Sequence, residues 1–109
     1  MPDWFTVKVD KPCIHVADKL VAVVKGGMPG QLFIYDTAYA NGTSDATNHY
    51  GTGSGHDKFD DKGEFRLTFV LAGSVPPGQA WLTIASSKAG DIIQTRTTFL
   101  IKPIAESCG

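Results

Sequence analysis

The side chains most able to do chemistry in this chain crowd into the stretch from 45 to 64. Three histidines occur, at His15, His49 and His56, and Asp45 and Asp57 lie close to the last two. Zinc takes three or four ligands held on rigid elements. Neither a His-Glu-x-x-His nor a Cys-x-x-Cys spacing is present to supply them. The histidines therefore read as exposed loop residues, and no metal is expected. Asp57, Asp60, Asp61 and Glu64 offer the oxygen donors that calcium prefers. They lack the alternating Asp/Asn order of an EF-hand loop, and Lys58 and Lys62 interrupt them. A solvated turn is the expectation, with calcium as the secondary reading. Gly53-Ser54-Gly55-His56 is a loop sequence and not the strand-turn-helix elbow that exposes a nucleophilic serine. The run 51–55 has the glycines of a phosphate cradle but no Gly-Lys-Ser/Thr after it and no helix to receive an anion. No carboxylate pair is singled out for glycoside hydrolysis. The chain is expected to be no enzyme and to need no cofactor.

Contact chemistry is a better match. Tyr39 and Tyr50 flank a stretch of small polar residues, and amphipathic aromatics beside adaptable polar groups make a workable binding loop. Trp81 is out of phase with Leu82 and Ile84, which points it away from the core. The predicted contact patch is Tyr39, Asn41, His49, Tyr50 and Trp81. Asn41-Gly42-Thr43 is also a glycosylation sequon, read here as an ordinary turn.

The elements that must position these groups repeat with period two, which is the strand period. Phe5, Val7 and Val9 share a face while Thr6 and Lys8 point away; Ile14 and Val16 follow inward in a short extension. The apolar run 20–24 predicts a central strand covered on both faces. After the turn 26–30, the next strand sets Phe33 and Tyr35 on one face and Leu32 and Ile34 on the other. Residues 38–63 are polar and Gly-rich, and predict loops around one irregular edge strand at 47–52. The turn 60–63 leads into the cleanest alternation in the chain, with Phe65, Leu67, Phe69 and Leu71 inward and Arg66 and Thr68 outward. A strand at 80–87 and a last one at 92–102 follow, the latter aligning Ile93, Thr95, Thr97, Phe99 and Ile101. That makes about seven strands with turn signals every ten or so residues, the sequence description of a β-sandwich.

The chain has 109 residues, enough for a single domain with its own core. A sandwich over 1–104 with a frayed tail at 105–109 is the expected division. Net charge is −1, and the ten Lys and Arg are scattered singly, which argues against nucleic acid. No apolar run reaches a membrane span, and the first residues read as no signal peptide. Cys13 and Cys108 lie near opposite ends. Terminal strands of a sandwich can lie side by side, so a bridge is open, but two free thiols are the expectation in the absence of an export signal.

From Asp60 onward the chain resembles bacterial and phage immunoglobulin-like domains. The matching pieces are Asp60-Asp61-Lys62-Gly63-Glu64-Phe65, Val75-Pro76-Pro77-Gly78-Gln79 and Thr97-Thr98-Phe99-Leu100-Ile101. The resemblance covers roughly the C-terminal half. It implies an immunoglobulin-like sandwich of antiparallel strands that serves as a spacer, adhesion unit or surface decoration. The expectation that follows is a non-catalytic module decorating a phage capsid or tail, present in the virion and assembled in the host cytoplasm. Its partner would be a protein: a particle surface or a second copy of itself. The alternative is an adhesion or carbohydrate-binding module from a larger secreted or cell-surface protein. A small hydrolase is the third reading.

Overall fold

The computed structural model describes residues 6–42, 55–71, 75–88 and 90–108. Eight strands run in chain order: β1 (Thr6–Val9), β2 (Cys13–His15), β3 (Lys19–Lys25), β4 (Leu32–Ala38), β5 (Gly55–Lys58), β6 (Phe65–Val70), β7 (Gly78–Lys88) and β8 (Asp91–Lys102). They form a three-stranded sheet, β1-β3-β6, and a five-stranded sheet, β2-β8-β7-β4-β5. The two sheets share one core, so the protein is an all-β sandwich. Among the described residues no helix is long and apolar enough to cross a membrane.

The alternation read from sequence is what builds each layer. In β3, Leu20, Ala22 and Val24 are fully buried. In β6, Leu67 is buried while Arg66 and Thr68 are exposed. In β4, Phe33 and Thr37 point into the core, and Phe33 packs its ring at 4.7 Å from Phe59 and 5.2 Å from Phe65. These are the spacings at which tilted aromatic pairs attract. Leu82 and Ile84 of β7 and Ile93, Phe99 and Ile101 of β8 close the opposite wall.

Several sequence expectations change. The described residues hold eight strands. One pairing is parallel, between β2 and β8, with Cys13 opposite Leu100 and Ile14 opposite Ile101. The first strand divides: β1 pairs with β3, and after Lys11-Pro12 the chain crosses to the other sheet as β2. Proline cannot donate to a ladder, so this is a natural place to change sheets. The run 20–24 is buried on its inner face only; Val21 and Val23 are half-exposed, because nothing among the described residues is layered over the outer face of the small sheet. The expected edge strand at 47–52 lies outside the described residues; the edge strand that is described is β5, at 55–58. The ends of the segment 38–63 belong to the core, since Tyr39 and Phe59 are both buried.

Residues 103–108 are held by specific contacts. After β8 the chain turns at 103–106, with Glu106 N donating to Pro103 O, and brings Cys108 back to Cys13. The two are bonded as a disulfide across a separation of 95 residues, correcting the expectation of free thiols. The reason is topological: β2 lies beside β8, so the tail returns onto the strand that carries Cys13. His15 Nε2 lies 2.6 Å from Glu106 O, and Lys102 Nζ donates to Ser107 O at 3.0 Å, which fixes the segment further.

Candidate contact surface

The outer face of the five-stranded sheet exposes a group of large apolar side chains. Alternation along β4 sends Leu32, Ile34 and Asp36 outward, opposite in phase to Phe33 and Thr37. Leu32 is 52% exposed and Ile34 60% exposed. On β8, the residue before buried Ile93 is Ile92, which is 80% exposed, and Leu100 on the same face is 39% exposed. Between them β7 carries small residues outward: Thr83 and Ala85, paired with both neighbours, and Ser87, paired with Ile92. The result is a shallow depression of about 270 Å³ lined by Leu32, Ile34, Ala85, Ser87 and Ile92. Gln31 Nε2 donates to Ser87 Oγ at 2.9 Å and Ser86 Oγ donates to Leu32 O at 2.7 Å. Those bonds lock the end of the patch in place. Isolated exposed apolar residues are ordinary, whereas a contiguous group on a rigid sheet marks a place where another surface sits.

Charged residues share this face at a distance from the patch. Asp36, Thr83 and Arg96 form one cross-strand row over β4, β7 and β8. Trp81 lies two residues further along β7, half-buried between Ala38 and Thr98. Tyr35 points to the inner side. Burial pushes its hydroxyl above the usual tyrosine range, and the nearby Asp57 carboxylate pushes it the same way.

Of the residues singled out in the sequence, Tyr39, Asn41 and Trp81 are described, and they do not all face solvent. Tyr39 is 1% exposed, so its ring is a core group and no surface contact. Asn41 is exposed in the turn where Gly42 N donates to Tyr39 O. Trp81 is on the outward face, as its phase required. His49 and Tyr50 lie outside the described residues. The acidic run is occupied with turn formation: Asp60 Oδ1 accepts from Lys62 N and from Glu64 N at 2.9 Å, and Asp57 Oδ1 accepts from Lys58 N. Among the described residues no three His, Cys, Asp or Glu side chains converge as a metal site. His15 meets Asp18 at 3.6 Å beside the disulfide, an exposed pair with structural partners.

The sequence-based patch did not include Leu32, Ile34 and Ile92, which the fold exposes together. The signal was present: residues 32–35 are apolar on both strand faces, and Ile92 doubles the apolar position at Ile93. A strand with one core face needs only alternate apolar residues, so the surplus ones are candidates for contact.

The outer face of the small sheet differs in character. Lys8, Val23 and Arg66 form a cross-strand row there, with Thr6 and Lys25 paired beside them over a depression of about 590 Å³.

No family model matches the chain, and no curated protein matches it. Among solved structures, the sporulation control protein Spo0M from Bacillus subtilis is similar over 91% of this chain, with a TM-score of 0.53 and 13% identity. The chain spans 49% of that structure's length. At this identity the likeness concerns the fold alone.

Proposed function

We propose that this chain is a non-catalytic contact module, an immunoglobulin-like domain that decorates a phage particle through the outer face of its five-stranded sheet. The observation that carries the contact role is the exposed group Leu32, Ile34 and Ile92 on a rigid sheet. Covering such side chains releases about 25 cal/mol for each Å² of apolar surface removed from water. The immunoglobulin-like part of the reading draws on strand order. In those sandwiches strands A, B and E oppose strands G, F and C. Here β1-β3-β6 opposes β8-β7-β4, with the first strand shared between the sheets and β5 added at the far edge.

The test is composition of the particle. Virions purified from the source that carries this gene are expected to contain the chain at a fixed copy number by quantitative mass spectrometry. An Ile34→Lys/Ile92→Lys chain is expected to be absent from them. Particles that never contain the native chain would overturn the decoration reading.

The Cys13–Cys108 disulfide favours a second reading, an exported adhesion or binding module, because disulfides form and persist in oxidising compartments. A glycan array probed with the oxidised chain tests its sugar form. Specific binding to one glycan class would support it, and none would count against it.

A further inference from the structure

The contact face is complementary to itself. The outer rows across β4, β7 and β8 are Ile34–Ala85–Gln94, Asp36–Thr83–Arg96 and Ala38–Trp81–Thr98, and Leu32 lines one depression with the paired Ser87 and Ile92. We infer that a second copy of this chain docks on this face about a twofold axis running along β7. This inference rests on the contact role proposed above and names its partner.

A twofold axis in the plane of contact, parallel to β7, exchanges the β4 side of one copy with the β8 side of the other. Every row then meets the same row of the partner with its ends reversed. Leu32 falls on the second copy's Ile92, and Ile92 on its Leu32, so two exposed apolar groups cover each other, while Ile34 falls beside its Gln94. Asp36 falls beside the second copy's Arg96, and Arg96 beside its Asp36, which gives two opposite-charge pairs from one arrangement. Thr83, Ala85 and Ser87 lie on the axis, where each meets its own copy, and Trp81 lies on it two residues further along. The three small side chains let the sheets approach to roughly the 10 Å of ordinary sheet packing over the apolar rows, and the two Trp81 rings meet beyond the charged row. An isologous interface requires this kind of self-complementary order. If the charged row carried one sign at both ends, the same operation would bring like charges together.

From Leu32 to Ala38 the face extends only about 20 Å along the strands. That is at the small end of specific interfaces, so a dissociation constant in the micromolar range is expected.

The experiment is sedimentation equilibrium of the oxidised chain up to about 1 mM, a concentration that reveals dimers of this strength. The native chain is expected to dimerise. Asp36→Arg alone, or Arg96→Asp alone, is expected to weaken dimerisation about tenfold or more, since each sets like charges opposite one another twice. The double swap Asp36→Arg/Arg96→Asp is expected to restore it. Arg96 is at an exposed position, so the Arg96→Asp arm stays readable even where Asp36→Arg lowers the melting temperature. A native chain monomeric at about 1 mM, or a double swap no better than the single ones, overturns the twofold. If the chain is monomeric while Ile34→Lys/Ile92→Lys still removes it from particles, the contact role stands and this inference alone fails. If neither association responds, both fail.

Discussion

Replacing both Cys13 and Cys108 with serine removes a cross-link that closes a loop of 95 residues. In the chain-entropy description, freeing a loop of this length raises the entropy of the unfolded state enough to cost about 4 to 5 kcal/mol. The other losses are smaller. The His15–Glu106 and Lys102–Ser107 contacts are exposed, and the three-residue pairing of β2 with β8 does not depend on the sulfurs. A domain of this size buries enough apolar surface to fold without the bond. The variant is therefore expected to fold but to melt far lower, since about 4 to 8 °C is lost per kcal/mol near this size. The assay is urea denaturation of the native and double-serine chains, followed by tryptophan fluorescence. With slopes of about 1 to 3 kcal/mol/M, the midpoint is expected to fall by about 1.5 to 4.5 M. Mass spectrometry after alkylation in denaturant without reductant is the companion measurement, and the native chain should take up no label at either cysteine. A midpoint shift worth under about 1 kcal/mol would refute the entropic reasoning. Free alkylation would refute the bridge itself.

Three further outcomes follow from the packing. Gly63→Ala is expected to lower stability by about 1 to 3 kcal/mol in the same urea assay; Gly63 has a φ of 75°, and an added Cβ would run into the Gly27 carbonyl oxygen. Phe33→Ala should cost about 3 to 5 kcal/mol, because a fully buried ring that packs on Phe59 and Phe65 leaves a cavity behind. Tyr35 is the pH-sensitive group. Its hydroxyl is raised by burial and then by Asp57, so the folded state holds the proton longer than the unfolded state does. The resulting stability is complete below the ordinary tyrosine range near about pH 10 and is lost as pH rises through the folded value. Absorbance titration of tyrosinate should contain a late contribution from Tyr35 that Asp57→Asn moves down and that is missing from the Tyr35→Phe chain.

The strand pattern was legible because burial on one face writes period two into the sequence. Leu67 and Leu71, and Ile93, Phe99 and Ile101, are buried where alternation put them. Connectivity was harder to read. The crossing of the first strand at Lys11-Pro12 and its parallel pairing with β8 depend on contacts far apart in sequence, and so does the Cys13–Cys108 bond that this pairing permits. Tyr39 was misplaced for a local reason. It follows β4 directly and sits beside polar residues, so its neighbours suggested a loop while the fold turns its ring inward. The outward apolar residues of β4 and β8 were visible as a surplus over what a one-sided strand requires. Their meeting across β7 is a matter of register, which no single strand reveals.

Under the proposed contact role, the outer face of the five-stranded sheet becomes covered when the protein assembles. Hydroxyl-radical footprinting of the chain, dilute and then assembled, tests it most directly. Protection is expected at Leu32, Ile34 and Ile92, with Val70 on the opposite sheet and Ile104 near the tail labelled equally in both states, since all five are exposed in the single chain. Unchanged labelling at Leu32, Ile34 and Ile92, with protection appearing at Val70 instead, would contradict the account.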